Sequence, residues 1–220
     1  MISIFKHKNY PPFWKEYVAK FKTKQPKTIK ETRFVVFDTE TTGLDIAQDR
    51  ILSIGAVSIF NQVIDVGDSF EIYLKQNEFK NETVEIHGIL KEGSISKTPE
   101  NKAIEKFLNY LGDSVLVAHH AAFDIAMLNG GLNRMNLPKL KNKSIDTGIL
   151  YKKLEGKKDN HFSLDVLCKE FNIPKHDRHT ASGDAFITAL LFFKIISTLK
   201  QQRTLHYSDL FRVSNKRGLI

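Results

Sequence analysis

The stretch Phe34-Val35-Val36-Phe37-Asp38-Thr39-Glu40-Thr41-Thr42-Gly43-Leu44, FVVFDTETTGL, decides how this 220-residue chain is read. Four consecutive apolar residues with β-forming side chains predict a strand buried on both faces. The run ends in carboxylates, so the strand delivers acids at its C-terminal end. In extended backbone, residues i and i+2 point to the same side, which lets Asp38 and Glu40 address one pocket. Gly43 has no Cβ and permits close approach of a ligand to the backbone.

Working outward, Ile51–Phe60 and Val63–Leu74 are β-rich and flank Asn61-Gln62, as in a hairpin or meander. The pattern then changes. Pro99–Leu111 predicts a helix with Thr98 as N-cap, Val115–Ala118 a short buried strand, and Ala122–Met135 a helix. Ser144–Asp146 predicts another strand, and Ser163–Phe171 and Ala181–Leu199 the last helices. Antiparallel strands followed by alternating helices and strands give a mixed α/β domain.

The remaining acids fall at element ends. Asp124 follows the Val115–Ala118 strand at a helix start, and Asp184 lies in the first turn of the last long helix, five residues after His179. Taken singly, Asp124 and Asp184 also suit the positive end of a helix dipole, and Asp38 an ordinary strand end. Clustered, they form an all-oxygen site suited to Mg²⁺ or Mn²⁺ rather than zinc. Without a cation such carboxylates repel one another. The matching chemistry is two-metal phosphodiester cleavage.

Three segments together resemble the DEDDh (DnaQ-like) 3′→5′ exonucleases, the family of the proofreading subunit of bacterial DNA polymerase III. They are FVVFDTETTGL (Phe34–Leu44), LVAHHAAFDIAML (Leu116–Leu128) and HTASGDA (His179–Ala185), in that order. The resemblance covers roughly residues 33–200, and implies a ribonuclease H-like α/β fold with a five-stranded mixed sheet flanked by helices. It implies that Asp38, Glu40, Asp124 and Asp184 serve two divalent cations, Mg²⁺ or Mn²⁺. His179 is implied as general base, a role suited to an imidazole whose ordinary pKa is about 6.5.

Substrate contacts are implied for Thr39, Thr41, Thr42 and Gly43, with Leu44 as a wedge between the last two bases. In NETVEIHGI, Glu82 and His87 match a segment that touches the terminal nucleotide. For His87 nucleotide contact is the reading slightly favoured over a helix-end cap, and Phe123 reads as nucleotide contact or plain core. His120 departs from the family, which places Asn there; Asn offers a donor and an acceptor that neutral His mimics in part. Asp146-Thr147 and His161/Ser163 read as helix caps, and Cys168 as core.

Composition sets the frame. Apolar residues make 41% and charged residues 26% of the chain, which excludes bulk disorder. The apolar run Ala185–Ile196 is broken by Lys194 and is short for a bilayer span. No secretory leader is read at the N-terminus. One cysteine excludes an internal disulfide framework or a Cys-built zinc site, and fits a reducing, cytoplasmic setting.

Of the net charge of +8, residues 1–33 carry nine basic and two acidic side chains, so the excess is concentrated in an N-terminal arm. Such an arm suits a polyanion, and a solvated lysine face fits the charge equally. Pro11-Pro12 predicts a helix start. Phe13, Trp14, Tyr17, Val18 and Phe21 form a stripe that reads as a docking face, with Gln25–Lys30 as a linker.

The boundaries expected are 1–32 for the extension, 33–203 for the exonuclease domain and 204–220 for the tail. The expected partners are single-stranded DNA or RNA 3′ ends, with a DNA polymerase or sliding clamp as a further class and no membrane. The string Gln202-x-x-Leu205-x-Tyr207 is the clamp-like element. An RNA exonuclease of oligoribonuclease or RNase T type, and a non-catalytic nucleic-acid-binding or polymerase-accessory module, are the rival readings. All five catalytic-type residues are present, which argues against the non-catalytic module.

Overall fold

The computed structural model describes residues 9–77, 80–91, 94–156 and 162–211. Lys6, Lys8 and His161, and the tail from residue 212, lie outside the described residues. The elements are α1 (Pro12–Lys20), β1 (Phe34–Thr41), β2 (Ile51–Phe60), β3 (Val63–Lys75), α2 (Asn81–His87), β4 (Lys97–Pro99) and α3 (Glu100–Leu111). They continue with β5 (Val115–Ala118), α4 (Ala121–Arg134), β6 (Ser144–Asp146), α5 (Thr147–Glu155), α6 (Leu164–Glu170), α7 (Ala181–Gln202) and a 3₁₀ turn at Tyr207–Leu210.

The strands form one mixed sheet in the order β4-β3-β2-β1-β5-β6. β1–β2 and β2–β3 are antiparallel; β3–β4, β1–β5 and β5–β6 are parallel. The sheet thus has six strands, not the five expected. The extra one is β4, where Thr98 pairs with Leu74. Thr98 is therefore extended strand and not the cap of α3; that position falls to Pro99. The hairpin expectation holds: Phe60 pairs with Val63, and Asn61 and Gln62 both have positive φ, 52° and 63°. Two left-handed residues make a turn whose twist matches the strands.

Strand alternation divides β1 between two layers. Phe34 and Val36 pack with Ile187, Leu191, Phe192 and Ile195 of α7. Val35 and Phe37 pack on the other face with Ala103, Phe107 and Leu111 of α3 and Met127 and Leu128 of α4. By length and composition α7 is apolar enough to cross a membrane, yet its buried residues make it the core helix behind the sheet.

A third layer comes from the N-terminus. Trp14 and Tyr17 are buried with Ile104, Leu108, Leu132 and Leu137. Tyr17 Oη donates to Asn142 Oδ1 (2.6 Å) and accepts from the Lys141 amide (2.8 Å). The stretch expected as a linker is tied down: Gln25 donates to Asp113 (3.0 Å), and Ile29 packs against the core. The aromatic stripe therefore docks, while Lys15, Lys20, Lys22, Lys24, Lys27 and Lys30 stay exposed.

Candidate active site

The site forms where β1, α4 and α7 meet. Asp38, Glu40 and Asp184 each bring a carboxylate oxygen within 4.8 Å of the others. The i,i+2 relation of β1 supplies the first two. The third requires the start of α7 to lie close to the sheet, and Gly55 permits this. Gly55 pairs with Asp38 across β1–β2, and a Cβ there would stand 2.1 Å from the Ser182 amide nitrogen and 2.2 Å from the Ala181 carbonyl carbon. Glycine inside a strand commonly marks such an approach, and Gly55 in ILSIGAVSIF carries that signal in the sequence.

Asp124 is brought to the same place but held differently. Its Oδ1 accepts from the Thr39 amide (3.1 Å) and the Thr39 hydroxyl (2.6 Å). Burial is the main cause that raises Asp124 to about 7. Burial likewise pushes Glu40 to about 7, with the Asp184 charge adding to it. Asp38 is pushed well above the carboxylate range by burial and by the charges of Asp124, Asp184 and Glu40. Asp184 is raised by burial, opposed by Arg178. Its Oδ1 is buried without a hydrogen-bond partner among the described residues. Under-neutralised carboxylates with an orphaned oxygen fit hard divalent cations, which take oxygen ligands.

His179 sits on the loop before α7, exposed, with φ +66°. Thr180 caps α7 by accepting from the Gly183 amide (3.1 Å). Next to His179, Arg178 donates to Asp184 Oδ2 and to Asp165 Oδ2 (3.0 Å). Sequence reasoning did not single out Arg178 or Asp165; the only signal was a basic residue directly before His179.

The expected substrate residues divide by what they touch. Leu44 is 83% exposed and Glu82 is exposed. The hydroxyls of Thr39, Thr41 and Thr42 go to internal partners: Asp124, the Gly43 carbonyl (2.8 Å) and Asp49 Oδ1 (2.8 Å). These donated bonds shape the loop, and each hydroxyl oxygen keeps acceptor capacity. A Cβ at Gly43 would meet Asp49 Oδ2 at 2.4 Å, so the position is crowded by side chains of its own chain. Asp49, also missed by sequence reading, is nearly fully buried and pairs with Lys80 Nζ (2.6 Å).

His87 is buried; Nδ1 accepts from the Ile89 amide (3.0 Å), the capping role, and Nε2 is buried without a hydrogen-bond partner among the described residues. Phe123 is half-buried and lines a cavity of about 340 Å³ with His120, Asp146, Ile149, Lys152 and Phe162.

The His119-His120 pair is explained by backbone conformation. His120 is the N-cap of α4 with φ 60° and ψ 43°. Asn and His are both enriched among non-glycine residues in this left-handed region. Asp146 Oδ2 accepts from the Ala121 amide (2.9 Å), while His119 bridges Thr147 Oγ1 and the Phe162 carbonyl, both at 2.9 Å. Asp146 also caps α5 at Gly148 and Ile149, and Ser163 caps α6, as expected. Leu205 and Tyr207 of the clamp-like string are half-buried and pack against the core.

Comparison with solved structures shows that the fold is shared with two solved exonucleases. E. coli exonuclease I in complex with a dT13 oligonucleotide superposes with a TM-score of 0.68 at 17% identity, covering 78% of this chain and 42% of that one. Exonuclease X in complex with 5′ overhanging duplex DNA gives 0.62 at 23%, covering 81% and 96%.

The chain belongs to the exonuclease family, whose model matches residues 35–192. Its curated relatives include the PolC-type DNA polymerase III of Halalkalibacterium halodurans, 34% identical over 181 residues, and that of Listeria innocua, 31% over 182. Each match covers 82% of this chain and 12% of the relative, so the chain spans about an eighth of those polymerases.

Proposed function

We propose that this protein hydrolyses single-stranded nucleic acid stepwise from a free 3′ end, DNA in preference to RNA, releasing nucleoside 5′-monophosphates. The observation that carries this is the convergence of Asp38, Glu40 and Asp184 within 4.8 Å, beside a loop that presents an exposed His179. Two divalent cations, Mg²⁺ or Mn²⁺, would supply a nucleophilic water and charge stabilisation at the leaving oxygen. Asp38, Glu40 and Asp184 would hold them, with Asp124 in support and oriented by Thr39.

His179 would take the proton of the attacking water; its exposed loop gives the imidazole access to solvent and substrate. Leu44, 83% exposed, would part the last two bases. Glu82, His87 and Phe123 would contact the terminal nucleotide. The DNA preference and a proofreading or repair context draw support from the PolC-type relatives, and a polymerase that hands over a 3′ end is the proposed partner. Residues 33–203 would form the catalytic domain, with the N-terminal helix as its brace.

The test is degradation of 3′-labelled single-stranded DNA and RNA side by side, in Mg²⁺, in Mn²⁺ and in EDTA. Mononucleotide release from DNA that stops in EDTA is expected. Full activity in chelator, or cleavage of closed circles as the main reaction, would overturn the mechanism. Faster release from RNA would overturn the DNA preference alone.

A further inference from the structure

Arg178 is a cation lodged in the acidic cluster. One guanidinium nitrogen donates to Asp184 Oδ2 and another to Asp165 Oδ2 (3.0 Å). Asp165, at the start of α6, is also paired through Oδ1 with Lys175 (2.8 Å). The two carboxylates that Arg178 joins are unlike. The Asp184 side chain is 7% exposed and belongs to the cluster, whereas that of Asp165 is 42% exposed and lies outside it. The Arg178 charge opposes the upward shifts of Asp38 and Glu40 as well as that of Asp184. It therefore offsets repulsion among all three acids, not only in the carboxylate it touches.

The same charge has the opposite effect once divalent cations enter. A guanidinium beside Asp184 then repels the incoming ion and occupies one of the oxygens the ion would use. We propose that Arg178 is a displaceable counter-ion: it neutralises the cluster while divalent cations are absent, competes with them for Asp184, and withdraws onto Asp165 when they bind. Because Arg178 directly precedes His179, the withdrawal also moves the loop that carries the base. This inference rests on the proposed reading of the acidic cluster as a divalent-cation site.

The test uses the full chain, with Mn²⁺ as the probe. Binding is followed by calorimetry and by electron paramagnetic resonance of the free ion, and the thermal midpoint is read in EDTA. Arg178→Gln is expected to tighten Mn²⁺ binding by about tenfold, the scale on which one neighbouring charge moves a carboxylate's proton affinity. It should also lower the midpoint in EDTA, where the counter-ion is missed. Asp165→Asn, at an exposed carboxylate, removes the retreat; it should weaken Mn²⁺ binding in the natural background and leave it unchanged in the Arg178→Gln background. Equal Mn²⁺ affinity for Arg178→Gln and the natural protein, or the same effect of Asp165→Asn in both backgrounds, would overturn the proposal. If the natural protein bound no Mn²⁺, the metal-site reading beneath it would fall too, and the two failures are thereby told apart.

Discussion

Gly55 of β2 lies against the backbone of Ser182 at the start of α7, so close that a methyl group on Gly55 would sit 2.1 Å from the Ser182 amide nitrogen. The neighbour is main chain, not the tip of a flexible side chain, so the helix itself must move to make room. Gly55 is also the strand partner of Asp38. The contact thus sets the distance between Asp184 and the two acids of β1.

Gly55→Ala should accordingly damage the site more than the fold. Overpacking of this kind costs about 1–3 kcal/mol, and misplacing a reacting group by about 1 Å can cost on the order of a hundredfold in rate. A thermal midpoint lowered by several degrees, with kcat down by about that factor, is expected. A variant with unchanged kcat would show that α7 is not positioned by this contact.

The clustered acids and the proposed base should separate by mutation. Asp38→Ala, Glu40→Ala or Asp184→Ala should lower the chemical step by on the order of a thousandfold or more, since bound metals carry several kcal/mol of charge stabilisation. His179→Ala should lose about 10²–10⁴-fold in rate, with Mn²⁺ binding retained. Natural rates for His179→Ala at neutral pH would remove it from the base role.

Thr39→Val tests how Asp124 is held. It deletes the hydroxyl bond at 2.6 Å and keeps the amide bond at 3.1 Å. A buried carboxylate that loses one donor should lose about 1–3 kcal/mol of stability. Cation affinity should weaken as Asp124 loses its fixed orientation. Unchanged Mn²⁺ binding would place Asp124 outside the cation site.

In chelator, stability should fall as pH rises from about 4.5 to about 7. The raised Glu40 and Asp124, both about 7 in the folded protein, bind more protons folded than unfolded across that window. Folding then takes up protons, and the slope of unfolding free energy with pH is negative. The contribution is full at the acid end and lost above the folded values. Thermal midpoints between pH 5 and 8 in EDTA should decline, and Mn²⁺ should remove the decline. A flat EDTA profile would contradict the shifts.

The N-terminal helix gives two separable readouts. Trp14→Ala empties a buried position and should cost about 3–5 kcal/mol, while hydrolysis well below the midpoint should be unaffected. Removing residues 1–32 should lower the midpoint as well. If the exposed lysines also hold the strand, the truncation should reduce the salt slope of binding by about 0.7 for each phosphate the arm had neutralised. An unchanged slope with a lower midpoint would leave the arm as a brace alone.

Much of the site was legible in the chain because it depends on local rules. Asp38 and Glu40 share a side through strand alternation, Asp184 lies in a helix's first turn, and Asn61-Gln62 turns a hairpin. Each follows from residues close in sequence, and the order of the three motifs made the family readable from the chain alone. β4 escaped because its three residues, Thr98 opposite Leu74 among them, have no periodicity of their own. The hydroxyls of Thr39 and Thr42 look alike in sequence to groups that would face a ligand; only folding shows that they are used by Asp124 and Asp49.

What the sequence by itself determined, then, was the set of chemical groups and the alternation that aims them. The tertiary structure alone decided how close they come and what neutralises them. The Gly55–Ser182 approach, the docking of Tyr17 onto Asn142 and the lodging of Arg178 between Asp184 and Asp165 join residues from different elements. Local propensity carries no record of which distant segment will supply the partner; that is fixed only when both faces of the sheet are buried and the helices have one way to pack.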